Sequence, residues 1–372
     1  MVKLDDIFRV TFRLMRSINF INKINRHLVR RILLIIGIYI ISIITSLVLT
    51  SLTLIVIDMK APLDFFHTLY FAVLSDPIRF SNILTRTIPV WLIALGISCT
   101  LRVGFYNIGG DGQFLFGAIL ALGLVDLFYG LTGGVLPGPI YIIFALIGGI
   151  LGGVLSIVIP LLLKVWRNSS EVLATILLNN IAFLLVELLV LVLWRDPLVV
   201  EPVSFAIPEV ARLPLLVPRS SLHFGVIVPV LLTILIYFIF NKSVLGLEFL
   251  LTGVNKSAAI YDGVNIKKSM IVAALLSGGL AGLAGAIELL GVSYRLFRGL
   301  TVGFGTAGVI VAWLSKSNPL VIPAFALLFS SLFATADALQ RTLQLPVGFV
   351  YTTFSMMLLV LIFMEKTFER VR

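Results

Sequence analysis

Residues 105–118 read FYNIGGDGQFLFGA, a polar, glycine-rich interruption of an otherwise apolar chain. The chain on either side is apolar for the length of a membrane helix. Here Gly109, Gly110 and Gly112 loosen the backbone, and Asn107, Asp111 and Gln113 bring in polar groups. Lipid satisfies no backbone hydrogen bond, so irregular chain at membrane depth must be covered by protein or water. Two placements are open. Either the stretch ends one spanning helix and its polar groups cap the next one in water, or it dips into a protein-lined space.

Working outward, 59% of the 372 residues are hydrophobic and 12% charged, against about 25% charged in soluble domains. Apolar runs of roughly 20 residues, each long enough to cross a hydrocarbon core of about 30 Å, recur along the chain. They place spans near 32–57, 84–103, 113–130, 138–164, 171–194, 223–240, 269–292, 303–317, 319–337 and 346–364. The expected fold is therefore all-α, a polytopic integral membrane protein of about ten transmembrane helices. One or two of these are broken, the short run at 303–317 among them.

The net charge of +10 sits at the ends of apolar runs and in a leading segment, as membrane topology requires and nucleic-acid binding does not. Residues 1–31 carry eight of the 28 Lys and Arg, and Leu4, Ile7, Phe8, Leu14, Met15, Ile18, Ile21 and Leu28 follow helical spacing. This is an amphipathic helix expected on the cytoplasmic face of the bilayer, followed by a transmembrane domain over 32–364 and a tail over 365–372. With the N-terminus inside, 19 basic residues fall in cytoplasmic segments and 9 outside, which places both termini in the cytoplasm.

Few groups suit bond-making chemistry. Cys99 is the single cysteine and lies in an apolar run, and His27, His67 and His223 fall at span boundaries or outside them. No metal or nucleophile cluster follows from these. The run GFGTAG at 303–308 matches GxGxxG in form only, without the strand, βαβ unit or acidic residue of a dinucleotide site; a broken membrane helix fits it better.

The polar residues inside apolar runs point to a conduit. An acidic group near mid-bilayer costs about 2.5–3.5 kcal/mol, so Asp111, Glu187 and Glu288 each call for a partner, water or a pathway. Asp126 and Asp337 fall near span ends, where solvation suffices. Asn179 and Asn180 are adjacent, so their amides point to different sides of one helix. The small-residue runs GGILGG at 148–153 and GGLAGLAG at 278–285 allow close helix packing. Asn107, Asp111, Gln113, Asn179, Asn180 and Glu288, with Phe304 at the second break, are the pathway candidates.

Between the sixth and seventh spans, residues 241–268 hold four lysines and no spanning run. Within them SAAIYDGV reads as a short helix, with Ser257 at its N-cap and Gly263 as its stop. A short helix held at the inner face is a docking element for a soluble partner.

Taken together, four stretches resemble the permease subunits of ABC importers, in the branch of simple-sugar, nucleoside and branched-chain amino-acid systems. They are YNIGGDGQ at 106–113, SEVLATILLNNIA at 170–182, the loop GLEFLLTGVNKSAAIYDGVNIKK and the block at 282–320. The first is similar to the version in nucleoside or simple-sugar importers, with Asp111 where a glutamate is usual. The resemblance implies a channel-forming subunit of the prokaryotic cell membrane that hydrolyses nothing itself, and no GxxxxGK(S/T) loop is present. It implies ABC ATPase partners carrying the ATP and magnesium, an extracytoplasmic substrate-binding protein and a second permease, identical or related. It also implies a coupling role for Gly246, Gly253, Asn255, Ser257, Ala258, Ala259 and Gly263. The rival reading is an ion-coupled secondary transporter, which broken helices and buried carboxylates would suit.

Overall fold

A computed structural model describes residues 61–73 and 75–343, with scattered positions between 37 and 52 and between 352 and 366. The chain falls into two units, Met1–Phe66 with Pro346–Arg372, and His67–Leu345. In the first, the scattered described positions are helical. The amphipathic segment 1–31 and the tail, save Lys366, lie outside the described residues, as do most of the first and last expected spans.

The described residues are all-helical, with isolated bridges and no strand. After α1 (Ala61–Val73) come α2 (Pro77–Arg102), α3 (Gly110–Thr132), α4 (Gly138–Arg167) and α5 (Glu171–Leu188). Then follow α6 (Ile227–Lys242), α7 (Val244–Val254), α8 (Lys256–Tyr261), α9 (Ile266–Glu288), α10 (Phe304–Leu314) and α11 (Ile322–Leu343). α5 and α9 each end in a π-helical turn, Leu189–Leu193 and Leu289–Ser293. Among the described residues, six helices are long and apolar enough to cross a membrane: α2, α3, α4, α5 with its π turn, α6 with the short turn before it, and α9 with its π turn.

Burial separates these helices. Across their apolar stretches, 83% of the α2 residues and 78% of those in α9 are buried, against 28% in α5 and α6, so α2 and α9 form the interior and the others present apolar faces outward, as a bilayer requires. α2 starts with Asp76 as its cap, whose carboxylate accepts from the Ile78 N–H at 2.9 Å. Pro77 follows at the first helical position, where its missing N–H costs nothing.

The core of the bundle is backbone against backbone. A Cβ on Gly153 would lie 1.9 Å from the Gly278 carbonyl oxygen, and one on Gly117 would lie 2.2 Å from that of Gly282. One on Gly152 would meet the Phe116 carbonyl at 2.3 Å. The glycine-rich runs 148–153 and 278–285 therefore serve packing, and they lock α3, α4 and α9 together with no side chain between them.

Three details sharpen or extend the sequence reading. α10 has 11 residues and at 1.5 Å per residue reaches only about 16 Å, so it is a half-helix. The segment 241–268 contains α7, an additional helix whose Phe249 and Thr252 are fully buried. Finally, residues 195–222 form a folded cap on the end of α9. Ser204 N–H donates to Leu296 at 2.9 Å, Ile207 N–H to Tyr294 at 2.8 Å and Leu213 N–H to Leu290 at 3.0 Å. Arg295 bridges to Asp196 at 2.6 Å, which holds the Asp196 carboxyl below its ordinary range, helped by the Leu198 N–H.

Candidate functional site

The segment 106–112 is held along one face of α5. Glu171, Thr175 and Asn179 stand four residues apart, so they stack on a single side of that helix. Glu171 accepts from the Tyr106 N–H at 3.4 Å, and Thr175 Oγ1 from the Ile108 N–H at 3.4 Å. Asn179 accepts from the Gly112 N–H at 2.8 Å and donates to the Ile108 carbonyl at 3.1 Å. The irregular backbone thus climbs two helical turns, about 12 Å, from the start of α5. Lys164 anchors the foot of this ladder, 2.8 Å from Glu171.

Asn107 and Gln113 close the segment on itself. Gln113 Nε2 donates to Asn107 Oδ1 at 2.9 Å and Asn107 Nδ2 returns a bond to Gln113 Oε1 at 3.0 Å. Asn107 Nδ2 also reaches Ser277 Oγ on α9 at 2.9 Å. Both amides are buried, and every polar group in the pair is matched by protein, as burial demands.

Asp111 does something its own helix does not need. Its carboxylate accepts from Thr301 Oγ1, from the Gly305 N–H at 2.8 Å and from the Thr306 N–H at 3.2 Å. Thr306 Oγ1 adds a fourth bond at 3.3 Å. Gly305 and Thr306 lie in the first turn of α10, where amide donors lack helical partners. Gly303, at φ 84, begins that helix with no side-chain cap of its own. Asp111 is therefore the cap of α10, supplied from α3, and its negative charge sits at the positive end of that helix. The two helix starts touch: a Cβ on Gly110 would meet Gly305 Cα at 2.9 Å.

The depth of this junction follows from its neighbours. The same Cβ would lie 3.0 Å from Ile93 Cγ2, and Asn107 bonds Ser277. Ile93 and Ser277 stand roughly 14 and 16 Å from the helix ends Arg102 and Ile266, about half of a 30 Å core. Asn107, Asp111 and Gln113 are each at most 6% exposed. The placement in which they cap α3 in water is corrected: they lie inside the protein, midway along the central helices.

The other candidates divide. Asn179 joins the network, whereas Asn180 is exposed and donates only to Ile176 of its own helix at 3.4 Å. Phe304 is buried and packs edge-on against Phe114 and Phe333. Glu288 stays outside the network, near enough to Arg86 to feel its charge. Glu187 pairs with Arg298 at 3.2 Å on the exposed surface, and Asp337 pairs with Arg86. Asp126 is exposed. Thr175, Ser277, Thr301 and Thr306 were missed, since a hydroxyl in an apolar run carries no signal until its partner is known. Among the described residues, no group of three His, Cys, Asp or Glu is placed to hold a metal.

The coupling candidates form a second, compact feature. The helix expected at 257–263 is α8, but its cap is Asn255, which accepts from the Ser257 and Ala258 N–H groups at 3.0 and 3.1 Å. Ser257 is corrected to a first-turn residue, because the Asn255 amide oxygen reaches both donors at once. Gly263 ends the turn at φ 79. Ala259 is fully buried while Ala258 is exposed, and Ile260 and Tyr261 project into the open, Tyr261 at 93% exposure. Gly246 packs on the Ile239 carbonyl and Gly253 on that of Arg102, each at a distance no side chain would allow.

Comparison with known proteins follows the same lines. A family model described as "Branched-chain amino acid transport system / permease component" matches residues 79–364. The chain is 30% identical over 250 residues to the guanosine ABC transporter permease protein NupP of Bacillus subtilis, covering 66% of this chain and 69% of that one. It is 25% identical to the nucleoside ABC transporter permease protein NupB of Lactococcus lactis over 75% of this chain and 78% of that one. With the glucose ABC transporter permease protein TsgB13 of Haloferax volcanii the identity is 22%, over 90% of this chain and 89% of the relative.

Proposed function

We propose a cargo and a route for this chain, which belongs to the family of branched-chain amino acid transport system permease components. It is a multi-pass plasma-membrane protein, the permease subunit of an ABC importer for small polar solutes, and not an enzyme. Such a permease works with ATPase and substrate-binding partners; the ion-coupled alternative is set aside with this assignment. The cargo is a nucleoside or, second, a simple sugar, a reading supported by the NIGGDGQ block and by the cargoes named for the relatives.

The observation that carries the route is the protein-lined junction of two helix starts at mid-depth, where Asp111 caps α10. Irregular backbone at that depth is tolerated only where protein or water covers it, and broken helices of this kind flank the solute site in transporters. Asn107, Asp111, Gln113, Asn179 and Phe304 shape this junction, whereas Asn180 and Glu288 stand off it. The chain has ten spans with both termini in the cytoplasm, a reading supported by the 19 to 9 division of basic residues. Residues 1–31 lie on the inner membrane face. A second permease, identical or related, completes the conduit, and ATP with magnesium is held by the ATPase subunits.

In this orientation α8 faces the cytoplasm. Its exposed Ala258, Ile260 and Tyr261 meet the ATPase, while Gly253 rests on the end of α2. A push on α8 therefore moves the end of α2 and with it the chain that leads to Asn107. The driving energy is the ATPase pair's preference for one arrangement over the other.

The test is ATP-driven uptake of labelled guanosine and glucose by vesicles holding the whole importer. Ala258→Arg is expected to abolish uptake with the permease still folded, since the side chain it alters is exposed; unchanged uptake would refute the docking role. Uptake of branched-chain amino acids but of neither guanosine nor glucose would overturn the proposed cargo.

A further inference from the structure

A cavity lies away from the mid-depth junction, between the first turns of α2 and the C-terminal half of α11. It measures about 410 Å³ and is lined by Arg79, Asn82, Arg86, Ala334, Asp337 and Arg341. That volume is within the range of small-molecule sites, about 300–1,000 Å³. No part of the coupling path or the α10 junction uses these residues.

Its chemistry is mixed in sign. Arg86 bridges to Asp337, yet the two side chains remain 43% and 35% exposed, so the pair faces the cavity and is not sealed in packing. Arg341 folds back to donate to the Asp337 carbonyl at 3.1 Å. Arg79 donates to the Phe71 carbonyl at 3.2 Å. The Asn82 carbonyl oxygen is taken by Ser221, through its N–H at 2.9 Å and its hydroxyl at 3.0 Å, leaving the Asn82 NH₂ to donate. Three guanidiniums, the Asn82 amide and one carboxylate thus line the cavity, which suits a ligand that both donates and accepts hydrogen bonds.

We infer that this cavity is a recognition subsite for a vicinal diol, with the Asp337 carboxylate accepting from two adjacent hydroxyls and the surrounding guanidiniums donating to their oxygens. A carboxylate accepts two such bonds side by side, and charge-assisted bonds of this kind are stronger than neutral ones. The inference rests on the reading above in two respects: nucleosides and simple sugars both carry adjacent hydroxyls, and the proposed orientation puts the start of α2 at the outer face. The subsite is then where arriving solute first meets this subunit.

The test is saturation-transfer NMR on the purified full-length permease in lipid nanodiscs, with guanosine, 2′,3′-dideoxyguanosine and glucose as probes. Guanosine is expected to show saturation at its ribose protons, and the dideoxy analogue to bind about tenfold or more weakly. Asp337→Asn should produce a loss of the same size. Should that variant unfold, Ala334→Leu narrows the cavity without altering either member of the ion pair and is expected to weaken the signal at least tenfold. Equal binding of guanosine and its dideoxy analogue would overturn the diol site while leaving a nucleoside cargo standing. Binding of glucose alone, lost in Asp337→Asn, would uphold the diol site and remove the nucleoside cargo. Binding of no probe, or displacement of guanosine by inorganic phosphate, would overturn the subsite.

Discussion

Replacing Asp111 is the sharpest test of the mid-depth junction. Asp111→Ala removes the acceptor for two backbone N–H groups in the first turn of α10 and for two threonine hydroxyls. The hydroxyls can turn to other acceptors; the amides of Gly305 and Thr306 cannot. At about 1–3 kcal/mol for each of the two buried donors left unmatched, and about 0.5–1 kcal/mol for the lost anion at a helix start, the expected cost is about 2.5–7 kcal/mol. Asp111→Asn keeps one acceptor oxygen but turns an NH₂ toward donors, and about 2 kcal/mol is expected. Asp111→Glu preserves the charge yet needs room: Gly305 packs so closely that a Cβ there would lie 2.1 Å from the Asp111 nitrogen. A further methylene therefore forces α10 outward, at about 1–3 kcal/mol. Thermal unfolding of the purified permease, followed by tryptophan fluorescence, reads this order; Trp313 of α10, stacked on Tyr106 at 6.5 Å, is the local reporter. With about 2–4 °C per kcal/mol, Asp111→Ala should lower Tm by about 10 °C. A Tm within 2 °C of the parent would show that this carboxylate does not hold the α10 start, and the junction argument would fall with it.

Three further outcomes are expected. Gly153→Ala puts a methyl 1.9 Å from the Gly278 carbonyl oxygen and should abolish folded protein in size-exclusion chromatography. Gly130→Ala, with nothing within 4 Å, should be neutral or stabilising by up to about 1 kcal/mol. His223 accepts from the Gly225 N–H at 3.1 Å and is pushed down by burial to a pKa of about 4. Its unfolded value is near 6.5, so its contribution is complete above that pH and is lost as pH falls toward 4, by at most about 3 kcal/mol. His223→Asn, which keeps a capping oxygen, should flatten the stability profile between pH 6.5 and 4. Asp196, held low by Arg295, titrates below that window and leaves it undisturbed.

Much of the fold was legible because lipid enforces one rule: apolar runs of spanning length form helices. The spans from 84–103 to 269–292 fall on α2, α3, α4, α5, α6 and α9, and the short run at 303–317 emerges as the half-helix α10. The glycine runs announced tight packing, and the polar interruption announced a break. The partners of that interruption were illegible. Thr301 and Gly305 stand 190 and 194 residues from Asp111, and no periodicity in either segment links them. The choice between Ser257 and Asn255 as a cap turned on side-chain reach, which spacing alone does not encode. α7 escaped notice because its 11 residues are too few for a span, although Phe249 packs as deeply as any core residue.

The long loop closed by Asp111 also has a cost in time. Helices enter the bilayer as they are made, and its partners Thr301, Gly305 and Thr306 follow it by 190 to 195 residues. At about 5–20 residues per second of synthesis, this carboxylate waits roughly 10–40 s before its donors exist. During that interval α3 and α4 already pair through Gly117 and Gly152, while α9 and α10 have yet to be translated. The nascent subunit must hold Asp111 against water or the insertion machinery until then. Truncation anywhere before residue 301 removes all four of those bonds to Asp111, so the α3–α10 junction is among the last parts of the bundle that can form.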